Sequence, residues 1–152
     1  MQAGDSIHRP QTLRSSISVT IAVIIVDLAT KWLAAKLWSD QTTGLVTPSI
    51  NNELALGTVS IDEISPVLVV VLCLFVAFAA TYVIFLRKAW VSGAAFGLFA
   101  GGVLGNAIDR IVTGGVHDWL NLGVVIANVA DFALLAGIVI LVRAIWRVSD
   151  DW

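Results

Sequence analysis

The chain has 152 residues, 58% of them apolar and only 13% charged, with a formal net charge of −2. A soluble domain carries about 25% charged residues, so the deficit, with several apolar runs of about 20 residues, points to a polytopic membrane protein. No basic surface is left for nucleic acid, and a single cysteine, Cys73, excludes an internal disulfide and a multi-cysteine metal site.

Residues 1–16 are polar, hold Arg9 and Arg14, and read as a short, poorly ordered cytoplasmic tail. Residues 17–38 form the first apolar run. Basic residues before an apolar core also suit a cleaved signal peptide. Asp27 and Lys31 interrupt this run, however, and no small-x-small cleavage site follows, so a retained helix is expected. Asp27, Thr30 and Lys31 stand at i, i+3 and i+4 and give that helix one polar face. An Asp–Lys pair at this spacing neutralises itself, a structural role at least as natural as a catalytic one.

Residues 39–65, with Gly44, Pro48, Asn51 and Asn52, are too polar and broken for a span. Their length suits a functional loop at the membrane surface, and GLVTPSI and ALGTVSI tolerate short strands. Residues 66–86 are the cleanest span, opened by Pro66 and closed by Arg87 and Lys88. Cys73 lies mid-run there and reads as a buried apolar thiol. The third span, about 90–108, is rich in Gly and Ala, which lets helix backbones approach closely in lipid and places it at the bundle centre. A short polar link, 110–121, leads to the fourth span, about 122–145, which Arg143 and Arg147 close.

Arg9, Arg14, Arg87, Lys88, Arg143 and Arg147 fall on one side of this arrangement, against Lys31, Lys36 and Arg110 on the other. That bias puts both termini in the cytoplasm. The expected fold is an all-α membrane protein with four transmembrane helices and a small β-containing extracytoplasmic loop. Residues 1–152 form one membrane domain, without internal repeats.

The chemistry gathers between Gly105 and Asp131. Asp109 is expected to end the third helix, and Asp131 to lie two to three turns into the fourth. Carboxylates near a bilayer are kept where they pair, meet water or react. Two that face each other at similar depth would share a proton, one activating water while the other polarises a carbonyl. The structural alternative is a salt bridge for each, Asp109 with Arg110 or Asp131 with Lys31. Asn106 and Asn128 each precede an aspartate by three positions, which suits either an orienting role or a polar contact between helices. Asp118 and His117 lie in the outer link, where His117 reads as solvated and, with no second histidine beside it, makes no metal site. No phosphate loop and no G-x-S-x-G elbow is present.

These residues resemble the motifs of the lipoprotein signal peptidases, the signal peptidase II family of bacterial aspartyl membrane proteases. Asp27-Leu-Ala-Thr30-Lys31 is similar to the family's D-x-x-T-K, Gly105-Asn106-Ala-Ile-Asp109-Arg110 to its G-N-x-x-D-R, and Asn128-Val-Ala-Asp131 to its N-x-A-D. Val116-His117-Asp118-Trp119 resembles V-x-D-F. The resemblance covers nearly the whole chain. It implies an endopeptidase that cuts a prolipoprotein before its diacylglyceryl-modified cysteine, with Asp109 and Asp131 as the catalytic pair. It further implies no metal or cofactor, inhibition by globomycin, and a β-cradle over the site built from residues 39–65.

The chain departs from the family pattern at Glu53 (a glycine elsewhere), Leu56 (an aromatic), Ala127 (a phenylalanine) and Phe132 (a small residue). These positions bear on the substrate cleft. Asn51, Arg110 and Asp118 are the further candidates for substrate binding. The expected setting is the bacterial inner membrane, with the site near its outer face, lipid and prolipoproteins as partners, and a monomeric chain. Other readings are an intramembrane aspartyl protease of unlipidated helices, a non-catalytic relative, and a small transporter with Asp27, Asp109 and Asp131 as a charge path. Acids gathered near one face and the absence of paired broken helices tell against transport.

Overall fold

A computed structural model describes residues 8–40, 44–51, 53–54, 59–60, 73, 76 and 93–149. The first apolar run forms helix α1, His8–Leu37. It starts nine residues before the expected span, so residues 8–16 are helical and not a loose tail. Pro10 does not prevent this, because the first turn's N–H groups have no partner inside a helix. The second expected span, 66–86, lies outside the described residues except for Cys73 and Val76, which are both helical.

Helix α2, Gly93–Thr113, overruns the expected end at residue 108. Gly114, at φ 81°, stops it, with its N–H donating to the Arg110 carbonyl at 3.0 Å. Asp109 therefore lies one turn inside the helix. Helix α3, Val129–Ser149, starts seven residues later than expected, which puts Asp131 in its first turn and not two to three turns deep.

Of residues 122–128, expected as helix, Ile126 and Ala127 are strand and the rest are irregular. β1 (Val46–Asn51) comes from the expected loop 39–65, as do β2 (Glu53–Leu54) and β3 (Val59–Ser60), which pair antiparallel. β4 (Val116–Asn121) comes from the expected polar link, and β5 (Ile126–Ala127) from the start of the expected fourth span. The order β1-β4-β5 is antiparallel throughout. Val46 pairs with Leu120 but Ser49 with Asp118, so β1 carries one extra residue across Thr47–Pro48. Proline has no N–H for the ladder, and a bulge is where a strand accepts it.

Packing between the helices relies on small and hydroxylated residues. A Cβ on Gly101 would lie 2.6 Å from Val23 Cβ, so only glycine lets α2 approach α1 this closely. Ser16 Oγ donates to the Gly93 carbonyl at 2.8 Å and Thr20 Oγ1 to that of Gly97 at 3.3 Å. Ala95, Phe99 and Leu141 join α2 to α3. The large apolar side chains Ile17, Ile21, Ile25, Leu135 and Val139 instead face outward. Among the described residues, Leu13–Leu37 and Gly93–Thr113 are long and apolar enough to cross a membrane.

Candidate active site

The polar residues converge where α1, the end of α2 and the start of α3 meet β4. Asp27 is fully buried, and Lys31 is 5% exposed. One turn apart on α1, they pair at 2.7 Å through Asp27 Oδ2. The other oxygen, Oδ1, accepts the N–H of Ala130 at 2.9 Å. That amide is one of the unpaired donors at the N-terminus of α3, where a carboxylate is favoured.

Lys31 reaches further. Its Nζ lies 3.3 Å from Asp109 Oδ2 and donates to Asn106 Oδ1 at 3.0 Å. Asn106 in turn donates from Nδ2 to Asp131 Oδ1 at 2.8 Å. The two acids of the expected pair are thus joined through Lys31 and Asn106. Asp109 is buried and Asp131 half-buried. The salt bridges considered from sequence are replaced: Lys31 serves Asp27 and Asp109, not Asp131.

Asn128 caps α3. Its Oδ1 accepts the Asp131 N–H at 2.9 Å, while Asp131 Oδ2 accepts the Asn128 N–H at 3.1 Å. This reciprocal box fixes the backbone and both side chains at once. Asn128 stands just outside the helix, so the expected shared helix face is in fact this cap. Its Nδ2 donates to Asp118 Oδ1 at 2.6 Å and to Asn106 Oδ1 at 3.2 Å. From β1, Asn51 Nδ2 reaches Asp118 Oδ2 at 3.2 Å. Burial pushes the Asp118 carboxyl above the usual range, the Asn128 hydrogen bond draws it back, and the charge of Asp131 raises it again.

Arg110 Nη1 contacts the Asn106 carbonyl at 3.4 Å, and the guanidinium lies within electrostatic reach of Asp118, Asp131 and Asp109. Its Nε is buried without a hydrogen-bond partner among the described residues. Thr30 stays apart, bonded to the Asp27 carbonyl of its own helix at 2.9 Å.

Two residues are closer to the centre than their sequence context suggests. Lys31 touches both Asp109 and Asn106. His117, expected as a solvated loop histidine, lies on β4 with its N–H 2.6 Å from Asp109 Oδ2 and its Nδ1 2.9 Å from Oδ1. The alternation in VHDWLN was the available sign of that strand.

The arrangement brings two acids from neighbouring helices into one hydrogen-bonded chain, with amide groups to orient them. Such a pair can take a proton from water and give one to a leaving group. Among the described residues no cluster of three His, Cys, Asp or Glu side chains could hold a metal.

Comparison with known proteins points to one family. The family described as signal peptidase (SPase) II matches residues 19–147. A lipoprotein signal peptidase of Staphylococcus haemolyticus is 31% identical over 90% of this chain and 93% of its own length. One of Staphylococcus aureus is 28% identical, over 95% of each. A solved bacterial membrane enzyme superposes with a TM-score of 0.73 at 25% identity, covering 91% of this chain and 92% of that one.

Proposed function

Because the chain belongs to the signal peptidase II family, a family of proteases that cleave lipoprotein signal peptides, we propose that it does so as an aspartyl endopeptidase acting through Asp109 and Asp131. The observation that carries this reading is the chain of contacts from Asp109 through Lys31 and Asn106 to Asp131. In this mechanism the ionised member of the pair removes a proton from water as the oxygen attacks the scissile carbonyl. The protonated member polarises that carbonyl and then supplies the proton to the leaving amine. Asn106 and Asn128 hold Asp131, while Asn51 and Asp118 brace the strand pair beside it. Arg110 would meet the polar end of the substrate.

The same proposal includes a monomeric chain with four spans in the inner membrane, both termini in the cytoplasm, and the sheet at the outer face. The substrate is a prolipoprotein carrying a diacylglyceryl-modified cysteine.

The test is cleavage of such a substrate by purified protein in detergent, beside Asp109→Asn, Asp131→Asn and a substrate without the lipid. Cleavage before the modified cysteine that vanishes in both variants and on the unlipidated peptide supports the reading. Wild-type turnover in either variant would remove the pair from the mechanism. Equal turnover of the unlipidated peptide would make this a protease of ordinary helices.

A further inference from the structure

His117 holds Asp109 by both oxygens. Its backbone N–H donates to Oδ2 at 2.6 Å, and Nδ1 of its ring lies 2.9 Å from Oδ1. A carboxylate gripped at one oxygen still turns about its Cβ–Cγ bond, whereas one gripped at both has its plane fixed. Each oxygen offers two acceptor sites, so acceptor capacity remains for a water. Against an ionised Asp109, which only accepts, Nδ1 must carry the hydrogen.

The backbone half of this grip follows from the strand alone, since any residue at 117 except proline brings an N–H. The ring half needs a side chain with a donor two bonds beyond Cβ. β4 delivers it: Val116 is buried, Asp118 is buried toward Asn128, and residue 117 between them turns toward the end of α2. The ring is partly covered, its side chain 28% exposed. Lys31 and Thr113 cannot replace it. Lys31 divides its charge between Asp27 at 2.7 Å and Asp109 at 3.3 Å. The Thr113 hydroxyl lies 3.5 Å from Oδ1 but 2.8 Å from the Asp109 carbonyl.

We propose that His117 is a positioning residue of the reaction, its ring fixing the orientation in which the Asp109 carboxylate meets water and substrate. The inference rests on Asp109 being one of the catalytic acids. A residue acting this way changes the rate of the chemical step and not the binding of substrate. A misplacement of about 1 Å at a reacting group costs on the order of 10²-fold in rate.

The experiment compares His117→Val, which suits a strand and removes the ring donor, with His117→Asn, whose Nδ2 restores a donor at the same distance from Cβ. Both are assayed for kcat and KM on a diacylglyceryl-modified prolipoprotein, with Asp109→Asn alongside and thermal unfolding in detergent as the check on folding. The expected result is a kcat lowered on the order of 10²-fold in His117→Val, KM within about twofold of wild type, and most of the loss recovered in His117→Asn. A wild-type kcat in His117→Val overturns the proposal. So does a folded His117→Asn no better than His117→Val. If His117→Val does not fold, His117→Gln replaces it, with its donor one bond too far out; a wild-type kcat there overturns the proposal equally. Activity in Asp109→Asn would instead remove the catalytic reading itself, whatever the His117 variants do.

Discussion

Asn106 donates a hydrogen bond to Asp131 at 2.8 Å and accepts one from Lys31 at 3.0 Å, so one amide links the first helix to the acid of the last. Its two ends are not interchangeable. The N–H₂ must face Asp131 and the oxygen Lys31, since an ammonium has nothing to accept with.

Replacing Asn106 by alanine removes a donor from Asp131 and an acceptor from Lys31 together. Cleavage should fall on the order of 10²- to 10³-fold in kcat, the loss typical of a removed orienting donor. Steady-state turnover of the lipidated substrate measures it. Asn106→Asp should be no better, because it sets a carboxylate against Asp131.

Lys31→Met leaves Asp27 buried without its cation. Breaking a buried pair from one side costs about 3–5 kcal/mol, whereas replacing both partners by neutral groups costs far less. The double variant Asp27→Asn/Lys31→Met should therefore unfold at a higher denaturant concentration than Lys31→Met alone. Denaturation in detergent gives the order, and the reverse order would show that the pair does not act as a unit.

Gly105 faces the same carboxylate. A Cβ there would sit 2.9 Å from Asp27 Oδ2 and 3.4 Å from Ala130 Cβ. Asp27 is held by Lys31 and by the Ala130 amide, so it has little room to yield. Gly105→Ala should lower stability by about 1–3 kcal/mol, as overpacking does, with a loss of turnover as Lys31 shifts. Thermal unfolding and kcat together check this.

Asp118 gives a pH dependence of stability. Its folded carboxyl titrates above the reference value of 3.8 because burial disfavours the charge. Between 3.8 and the raised value the folded form binds more protons than the unfolded chain, so stability falls as pH rises through that window. Below 3.8 both forms are protonated and the effect vanishes. Asp118→Asn removes this slope. Its melting temperature relative to wild type should thus climb as pH increases from 4 toward neutrality. A difference that stays flat would mean that the Asn128 and Asn51 hydrogen bonds offset the burial.

Much of the centre was legible because acids in apolar runs stand out: Asp109 and Asp131 needed no structure to be chosen. What was lost lay in element boundaries. VVIANVADF is apolar enough to continue a helix backward, yet Asn128-x-x-Asp131 carries the spacing of a capping box, and the box starts the helix at Val129. Shortening that helix left Ile126 and Ala127 to pair with β4, and the link became the strand that carries His117 to Asp109. Periodicity alone does not reveal such a change, because VHDWLN alternates but is short and polar. The Thr47–Pro48 bulge was visible only as a proline in a β-tolerant stretch. Lys31 was read through its neighbour Asp27, four residues away. Its contacts with Asp109 and Asn106 join residues 75 or more positions apart, which local spacing does not encode.

The order in which the chain leaves the ribosome gives the Asp27–Lys31 pair a second meaning. Asn106, Asp109 and the Ala130 amide are made long after α1, so at first α1 has no partner for its buried charges except its own. At i, i+4 those charges cancel within one turn, so the apolar middle of α1, residues 17–35, carries no net charge of its own. In the folded protein Asp27 Oδ1 meets the Ala130 amide and Lys31 the Asp109 carboxylate, both from segments made after α1. If Asp131 is the second acid, as proposed, proteolytic capacity comes only once residue 131 has been synthesised.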